Sequence, residues 1–261
     1  MDTRGGSGST QAVVPGIFSR SLVLAYGILA YAAFVAVFVY FIAFVTDLFV
    51  PRSVNRGPQA PLLLAAATNL SLIAVFAVQH TVMARSGFKQ WLTRYIPPAA
   101  ERSTFVLVTS LVLGALCFFW QPLPEIVWQV ESTFFAGLLW AVCAAGWLLV
   151  FASSYMINHY DLFGLRQVWL HFRLREYTHS PFVIRWMYRY VRHPLMLGVL
   201  LGVWFIPTMT QGHLLLAVGL TAYILIGIGF EERDLVHHLG MPYRKYQQTV
   251  PRLFPWKRRS R

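Results

Sequence analysis

The chain has 261 residues, of which 57% are hydrophobic and only 12% charged, against about 25% charged in an average soluble domain. Its long uncharged runs mark a polytopic membrane protein and exclude a soluble globular enzyme. The net charge of +12 sits in loops and in the tail, so it predicts anionic lipid of the cytoplasmic leaflet as partner, and no nucleic acid.

Residues 1–20 are rich in Gly, Ser and Thr, lack apolar periodicity and read as a disordered start. The first membrane helix is expected over residues 22–45, too long for the ~7–15-residue core of a signal peptide. A loop with Pro51, Gly57 and Pro58 leads to a second helix over 62–84, carrying Asn69, Gln79 and His80. Asn69 reads as interhelical glue. Gln79-His80, near the helix end, either line a cavity or bond a neighbouring helix. Residues 85–102 carry Arg85, Lys89, Arg94 and Arg102 against Glu101. Helices over 103–120 and 134–157 flank loop 121–132, which has Glu125 and Glu131 but no Lys or Arg. That contrast predicts loop 85–102 and the N-terminus in the cytoplasm and loop 121–132 outside. Cys117 and Cys143 lie inside apolar runs and read as small core residues without a disulfide.

Residues 158–193 form a basic segment opened by Asn158-His159-Tyr160-Asp161-Leu162-Phe163-Gly164-Leu165-Arg166-Gln167. Further on, Arg185, Arg189 and Arg192 recur on one side of a possible helix, with Phe182, Trp186, Met187 and Tyr190 opposite. The pattern predicts an interfacial helix on the cytoplasmic leaflet.

Two apolar runs follow, 195–206 and 214–230, separated by Pro207 and Gln211-Gly212-His213. They predict a tight hairpin that enters and leaves on the cytoplasmic side, although the first run is shorter than the ~20 residues of a full crossing. Gly198 and Gly202 leave room for a helix or a ligand to approach closely, and Gly227 with Gly229 suggest the same on the return helix. That helix should continue through Glu231, Glu232, Asp234, Leu235 and His238 to a cap at Gly240, with Pro242 just beyond. The tail 257–261 is polybasic and reads as a membrane anchor. The fold expected is thus all-α: a polytopic membrane helix bundle of about six crossings, five being possible. It divides into a start (1–20), four membrane helices (21–157), a covering segment (158–193), a catalytic hairpin with its cytoplasmic cap (194–256) and the tail (257–261).

Carboxylates at a bilayer boundary are costly without partners, so Glu231-Glu232 facing Arg192-His193-Pro194 suggests a site. In order along the chain, Arg192-His193-Pro194, Gly198, Glu231-Glu232, Leu235, Gly240, Tyr243, Tyr246 and Pro251 resemble the catalytic core of the isoprenylcysteine carboxyl methyltransferase and phospholipid methyltransferase group. Many members have Tyr where this chain has Met196. Upstream, Gln79-His80 and residues 158–167 resemble a narrower branch, the methanethiol S-methyltransferases, relatives of the NnrU-like membrane proteins. The resemblance covers most of residues 62–255. It implies S-adenosylmethionine as cofactor, a small volatile thiol as substrate and dimethyl sulfide as product. It also implies an integral enzyme of a bacterial inner membrane, with its site facing the cytoplasm.

Such a cofactor needs a cation for its carboxylate, carboxylates for its ammonium and ribose, and aromatic or apolar surface. Arg192 or Arg244 suits the first role and Glu231 or Glu232 the second. Tyr243, Tyr246 and Trp204 suit the third, and His193, held out of helix by Pro194, can turn toward the cofactor. The expected cofactor-binding set is Arg192, His193, Pro194, Met196, Gly198, Glu231, Glu232, Leu235, Tyr243, Arg244 and Tyr246. The acceptor must be a thiolate, and even a cysteine thiol has pKa ~8.5. His80, His159, Asp161 and Arg166 are the residues offered for proton removal and thiolate stabilisation. His159 with Asp161, or His237 with His238, lacks the spacing of a helical zinc motif, so no metal site is expected. No Gly-rich turn or βαβ alternation suggests a Rossmann methyltransferase. Methylation of a prenylcysteine carboxylate or a phospholipid amine, and a non-enzymatic NnrU-like factor, remain alternatives. A transporter would place its charges nearer the midplane.

Overall fold

The computed structural model describes residues 15–178 and 183–255. The expected disorder of residues 1–14, the polybasic tail and Phe182 lie outside the described residues. The chain is a helix bundle, α1 (Ile17–Thr46), α2 (Leu62–Ala84), α3 (Ser86–Leu92), α4 (Glu101–Phe119), α5 (Thr133–Ile157), α6 (His159–Leu162), α7 (Leu165–Phe172), α8 (Pro194–Trp204), α9 (Gln211–Leu239) and α10 (Met241–Thr249). α1 begins at Ile17, inside the stretch read as a disordered start. Among the described residues, five helices (α1, α2, α4 with the turn before it, α5 and α9) are long and apolar enough to cross a membrane. The protein is an integral membrane helix bundle. Its outer surface is apolar, as lipid requires: Leu63 is 85% and Leu148 68% exposed.

α8 is apolar but shorter: its 11 residues span only ~16 Å, half of a ~30 Å hydrocarbon core. A short extended segment follows it. The strands β1 (Ile126–Gln129) and β2 (Thr208–Thr210) pair antiparallel, with Trp128 opposite Met209 and an irregularity after Ile126. This small ribbon, which an all-α reading did not foresee, joins the α4–α5 loop to the α8–α9 turn at one end of the bundle. The α1–α2 loop joins them there, where the Thr210 hydroxyl donates to Asn55 Oδ1 at 2.6 Å. The arginine-rich segments 85–102, 158–178, 183–193 and 231–255 gather at the opposite, basic end.

α8 packs closely along α5, its glycines meeting the backbone at Gly146 and the side chains of Trp147 and Val150. A Cβ on Gly146 would lie 2.7 Å from Gly198 O and Gly202 N, and one on Gly198 would lie 2.6 Å from Gly146 O. The close approach expected at Gly198 and Gly202 is therefore to a helix, α5. Gly227 and Gly229 have no neighbour within 4 Å of such a Cβ, so the room expected there is not used by packing. Gly240, at φ +63°, separates α9 from α10. The interfacial helix expected around Arg185–Arg192 is only a single 3-10 turn, Trp186–Arg189. Arg192 leaves that pattern because its guanidinium is drawn inward by a carboxylate.

Candidate active site

Pro194 starts α8, where its missing N–H is no loss, and this sets Arg192 and His193 at the helix mouth. α9 runs past that mouth. One residue of helix turns a side chain by about 100°, so adjacent glutamates diverge. Glu232 points inward with its side chain 3% exposed, whereas Glu231 is 50% exposed. Glu232 Oε1 lies 2.7 Å from Arg192 Nε, 2.6 Å from Arg192 Nη2 and 3.2 Å from His193 Nε2. Its Oε2 accepts from Arg252 Nε at 3.0 Å and Gln247 Nε2 at 3.3 Å. Arg192 Nη1 donates to the carbonyls of Gln247, at 2.9 Å, and Val250. The backbone N–H groups of Arg192 and His193 donate to Pro251 O and Arg252 O. One carboxylate thus clamps the start of α8, the end of α9 and the chain after α10. Glu231 Oε2 lies 3.6 Å from His193 Nδ1, so the imidazole bridges the two glutamates.

The paired tyrosines support this clamp from below. Tyr243, Tyr246 and Val250 form a buried cluster against Leu235. The Tyr246 hydroxyl donates to Tyr188 O at 2.6 Å, and burial pushes that hydroxyl up to about 12, which keeps it a donor. Met196 packs partly buried beside Val191 and Leu197. Arg244 stays exposed and forms no ion pair among the described residues. It faces a hollow of about 430 Å³ bounded also by Arg192, Glu232, Val236, Gln247 and Arg252. Trp204, expected near this mouth, sits at the far end of α8, ten residues and ~15 Å from Pro194, where its indole donates to Thr221 Oγ1.

The covering segment makes a second cluster. His159 is buried, with Nε2 2.7 Å from the Tyr31 hydroxyl, Nδ1 2.8 Å from Ser154 Oγ and its ring stacked on Tyr155 at 4.2 Å. Burial holds this histidine below its ordinary value. Asp161 Oδ2 accepts from Arg166 Nη1 at 3.1 Å, and Tyr177 also hydrogen-bonds this carboxylate. Arg166 donates further to Thr178 O at 2.8 Å and Thr178 Oγ1 at 3.1 Å. Gly164, at φ +88°, lets the segment turn tightly against α4: a Cβ there would meet Ser103 Oγ at 2.7 Å.

His80 faces neither cluster directly. It lies in a cleft of α2, α4 and α9, with ring centroids 4.9 Å from Phe105, 5.7 Å from Phe76 and 6.0 Å from Tyr223. Its Nδ1 and the Oε1 of Gln79 are buried without a hydrogen-bond partner. Tyr223 stands about two turns before Glu231 on α9. Arg102 closes its other side, with its guanidinium carbon 4.8 Å from the Phe105 centroid. Sequence reasoning counted Arg102 only as a charge of a basic loop. Its neighbour three residues on, Phe105, was the available signal.

A polytopic helical membrane protein whose basic end joins Arg-His-Pro to a Glu-Glu pair defines the class. Within it, the chain is 48% identical over 240 residues to methanethiol S-methyltransferase of Mycobacterium tuberculosis, covering 92% of this chain and 98% of that one. It is 47% identical to methanethiol S-methyltransferase 2 of Bradyrhizobium diazoefficiens over 92% of both chains. Nurim of Sus scrofa is more distant, 31% identical over 70% of this chain and 73% of its own. The chain belongs to the methanethiol S-methyltransferase family, and its relatives mark it as a methyltransferase. No family model matches it, and no solved structure does.

Proposed function

We propose that the protein methylates methanethiol to dimethyl sulfide with S-adenosylmethionine as donor. The observation that carries this reading is the junction of Arg192-His193 with Glu231-Glu232, in a chain so similar to named methanethiol S-methyltransferases. The residues at the mouth fit the donor's chemistry. Arg244 is a cation without an ion pair for a carboxylate. Glu231 is a half-exposed carboxylate for an ammonium or a ribose diol, and Val236 offers apolar surface. Glu232 and Arg192 are occupied with each other and hold the walls in place. The bound donor supplies an electrophilic methyl group: a new S–C bond forms to the thiolate as the sulfonium C–S bond breaks and its electron pair stays on the donor sulfur.

The chain's own tasks are alignment, exclusion of water and removal of the thiol proton. Alignment is the main lever in such a displacement. His80 is the proton acceptor we favour, because a neutral imidazole carries one acceptor nitrogen and its Nδ1 has no protein partner. His159, Asp161 and Arg166 order the covering segment, whose Phe163 stacks on Phe34 at 4.2 Å and keeps water from the cleft. The excess of arginine at this end favours the cytoplasmic side of a bacterial inner membrane. A cysteine at position 128 should then label from the outer side alone.

The test incubates purified protein in lipid with methyl-labelled S-adenosylmethionine and methanethiol, prenylcysteine or phosphatidylethanolamine. Labelled dimethyl sulfide in the headspace, and no labelled prenylcysteine ester or lipid, is expected. Label only in the ester or the lipid would overturn the reading.

A further inference from the structure

A thiolate in a desolvated cleft needs a cation beside it, since each unit by which its pKa falls requires ~1.36 kcal/mol of selective stabilisation. The arginines best placed by sequence are occupied. Arg166 spends its donors on Asp161 and Thr178, and Arg192 and Arg252 are held by Glu232. Arg102 differs. Its Nε donates to Leu162 O at 2.6 Å, which fixes the plane of the guanidinium. Among the described residues no carboxylate lies within ion-pair distance of it and neither Nη atom has a hydrogen-bond partner, and the charges of Glu101 and Asp161 act on it only from further away.

The surroundings of those Nη atoms are selective. Phe105 lies under the guanidinium and also against His80, so cation and imidazole flank one ring. The two are near enough for the positive charge of Arg102 to act on the His80 ring. Phe163 and Met83 belong to the same apolar cluster as Phe105. Around Phe105 there are thus a fixed cation, polarisable apolar side chains and the unpartnered Nδ1 of His80. A guanidinium is weakly hydrated and suits a weakly hydrated anion. Resting on the thiol-methylation reading above, we propose that Arg102, set between Phe105 and His80, holds the acceptor thiolate, and that the subsite takes small soft anions as a class.

The experiment uses the full chain in lipid nanodiscs, with thiocyanate as an unreactive soft anion. Thiocyanate should inhibit the wild type competitively with methanethiol and not with S-adenosylmethionine. Arg102→Gln removes the cation, and a lost charge-assisted hydrogen bond predicts an about 10- to 100-fold fall in kcat/KM for the thiol. Its affinity for S-adenosylmethionine by calorimetry should stay within twofold of the wild type, and thiocyanate should no longer compete. Arg102→Lys should recover part of both properties, which a merely structural Arg102 would not require. Unchanged kcat/KM and unchanged thiocyanate inhibition in Arg102→Gln would overturn the assignment while leaving thiol methylation intact. A wild type inactive on every thiol would sink both. If Arg102→Gln does not fold, phenylglyoxal modification of Arg102 in the wild type, read by peptide mass, decides instead. Protection by thiocyanate supports the subsite, and equal modification with and without it overturns it.

Discussion

The two polar clusters at the basic end are built in opposite ways. In the clamp, Glu232 receives Arg192, His193, Gln247 and Arg252, and the remaining Arg192 donor finds two backbone carbonyls. In the cleft, His80 Nδ1 and Gln79 Oε1 are buried without partners, and Arg102 is bonded on one edge only. A saturated network of buried charges makes a rigid joint, whereas buried polar groups left unpaired are expensive unless something else satisfies them. The clamp is therefore the part that holds the chain, and the His80 region is where the proposed thiol subsite falls. The same residue type serves both: Arg192 ties three segments together, and Arg102 is bonded at Nε alone, over the Phe105 ring.

The contrast breaks most visibly at Glu232. Glu232→Ala leaves the buried Arg192 without a counter-charge, and losing one partner of a buried pair costs about 3–5 kcal/mol. The expected result is a cap that detaches: rapid proteolysis within residues 240–255, a melting temperature lower by many degrees and no measurable methyl transfer. Arg102→Gln should behave otherwise, losing the Leu162 hydrogen bond at about 1 kcal/mol and melting close to the wild type. Equal losses of melting temperature in the two variants would erase the distinction between joint and ligand site.

A smaller effect is expected at Gly146, which touches neither cluster's charges. A methyl group there would press on Gly198 O and Gly202 N at 2.7 Å, and overpacking of this kind costs about 1–3 kcal/mol. α8 carries His193 and Pro194 at its start, whereas the cleft is built on α2, α4 and α9. Gly146→Ala should therefore weaken S-adenosylmethionine binding, measured by calorimetry, more than it weakens thiocyanate binding. The opposite order would mean that α5 and α8 shape the thiol subsite directly.

Much of this was legible in the sequence, for local reasons. Long apolar runs placed α1, α2, α4, α5 and α9, and paired motifs placed the clamp residues at one end. What escaped was what depends on partners. A Glu-Glu step on a helix gives no sign of which carboxylate turns inward, so Glu232 looked as free to bind a ligand as Glu231. Arg192 had the spacing of a membrane-facing basic stripe, and only the position of Glu232 draws it in. Trp204 was near in sequence to the motif but is carried away by the length of α8. The β1–β2 ribbon is only four and three residues long, and no single strand there has enough periodicity to announce itself. Arg102 was hidden among the charges of a basic loop, because its importance lies in the contacts it lacks.

The smallest expected effect concerns His159, which lies between the two clusters in character: both ring nitrogens have partners, and the rings of Tyr31, Tyr155 and Tyr160 surround it. Burial holds its folded pKa below the ordinary 6.5, so the folded chain keeps the ring neutral while an unfolded chain takes up a proton first. The sign follows: this term is fully present above pH 6.5 and is lost as pH falls from there toward the folded value, by at most ~1.4 kcal/mol per pH unit. Melting curves of the wild type should fall below about pH 6.5 more steeply than those of His159→Gln, and parallel curves would mean that His159 carries no such linkage. The same variant separates the two histidines in catalysis. If His80 takes the thiol proton, the acid limb of kcat/KM survives in His159→Gln with its midpoint unmoved. If that limb disappears and activity then rises tenfold per pH unit with the thiolate fraction, His159 is the base, and the partners that fix its ring, Tyr31 and Ser154, become the relay through which the proton leaves.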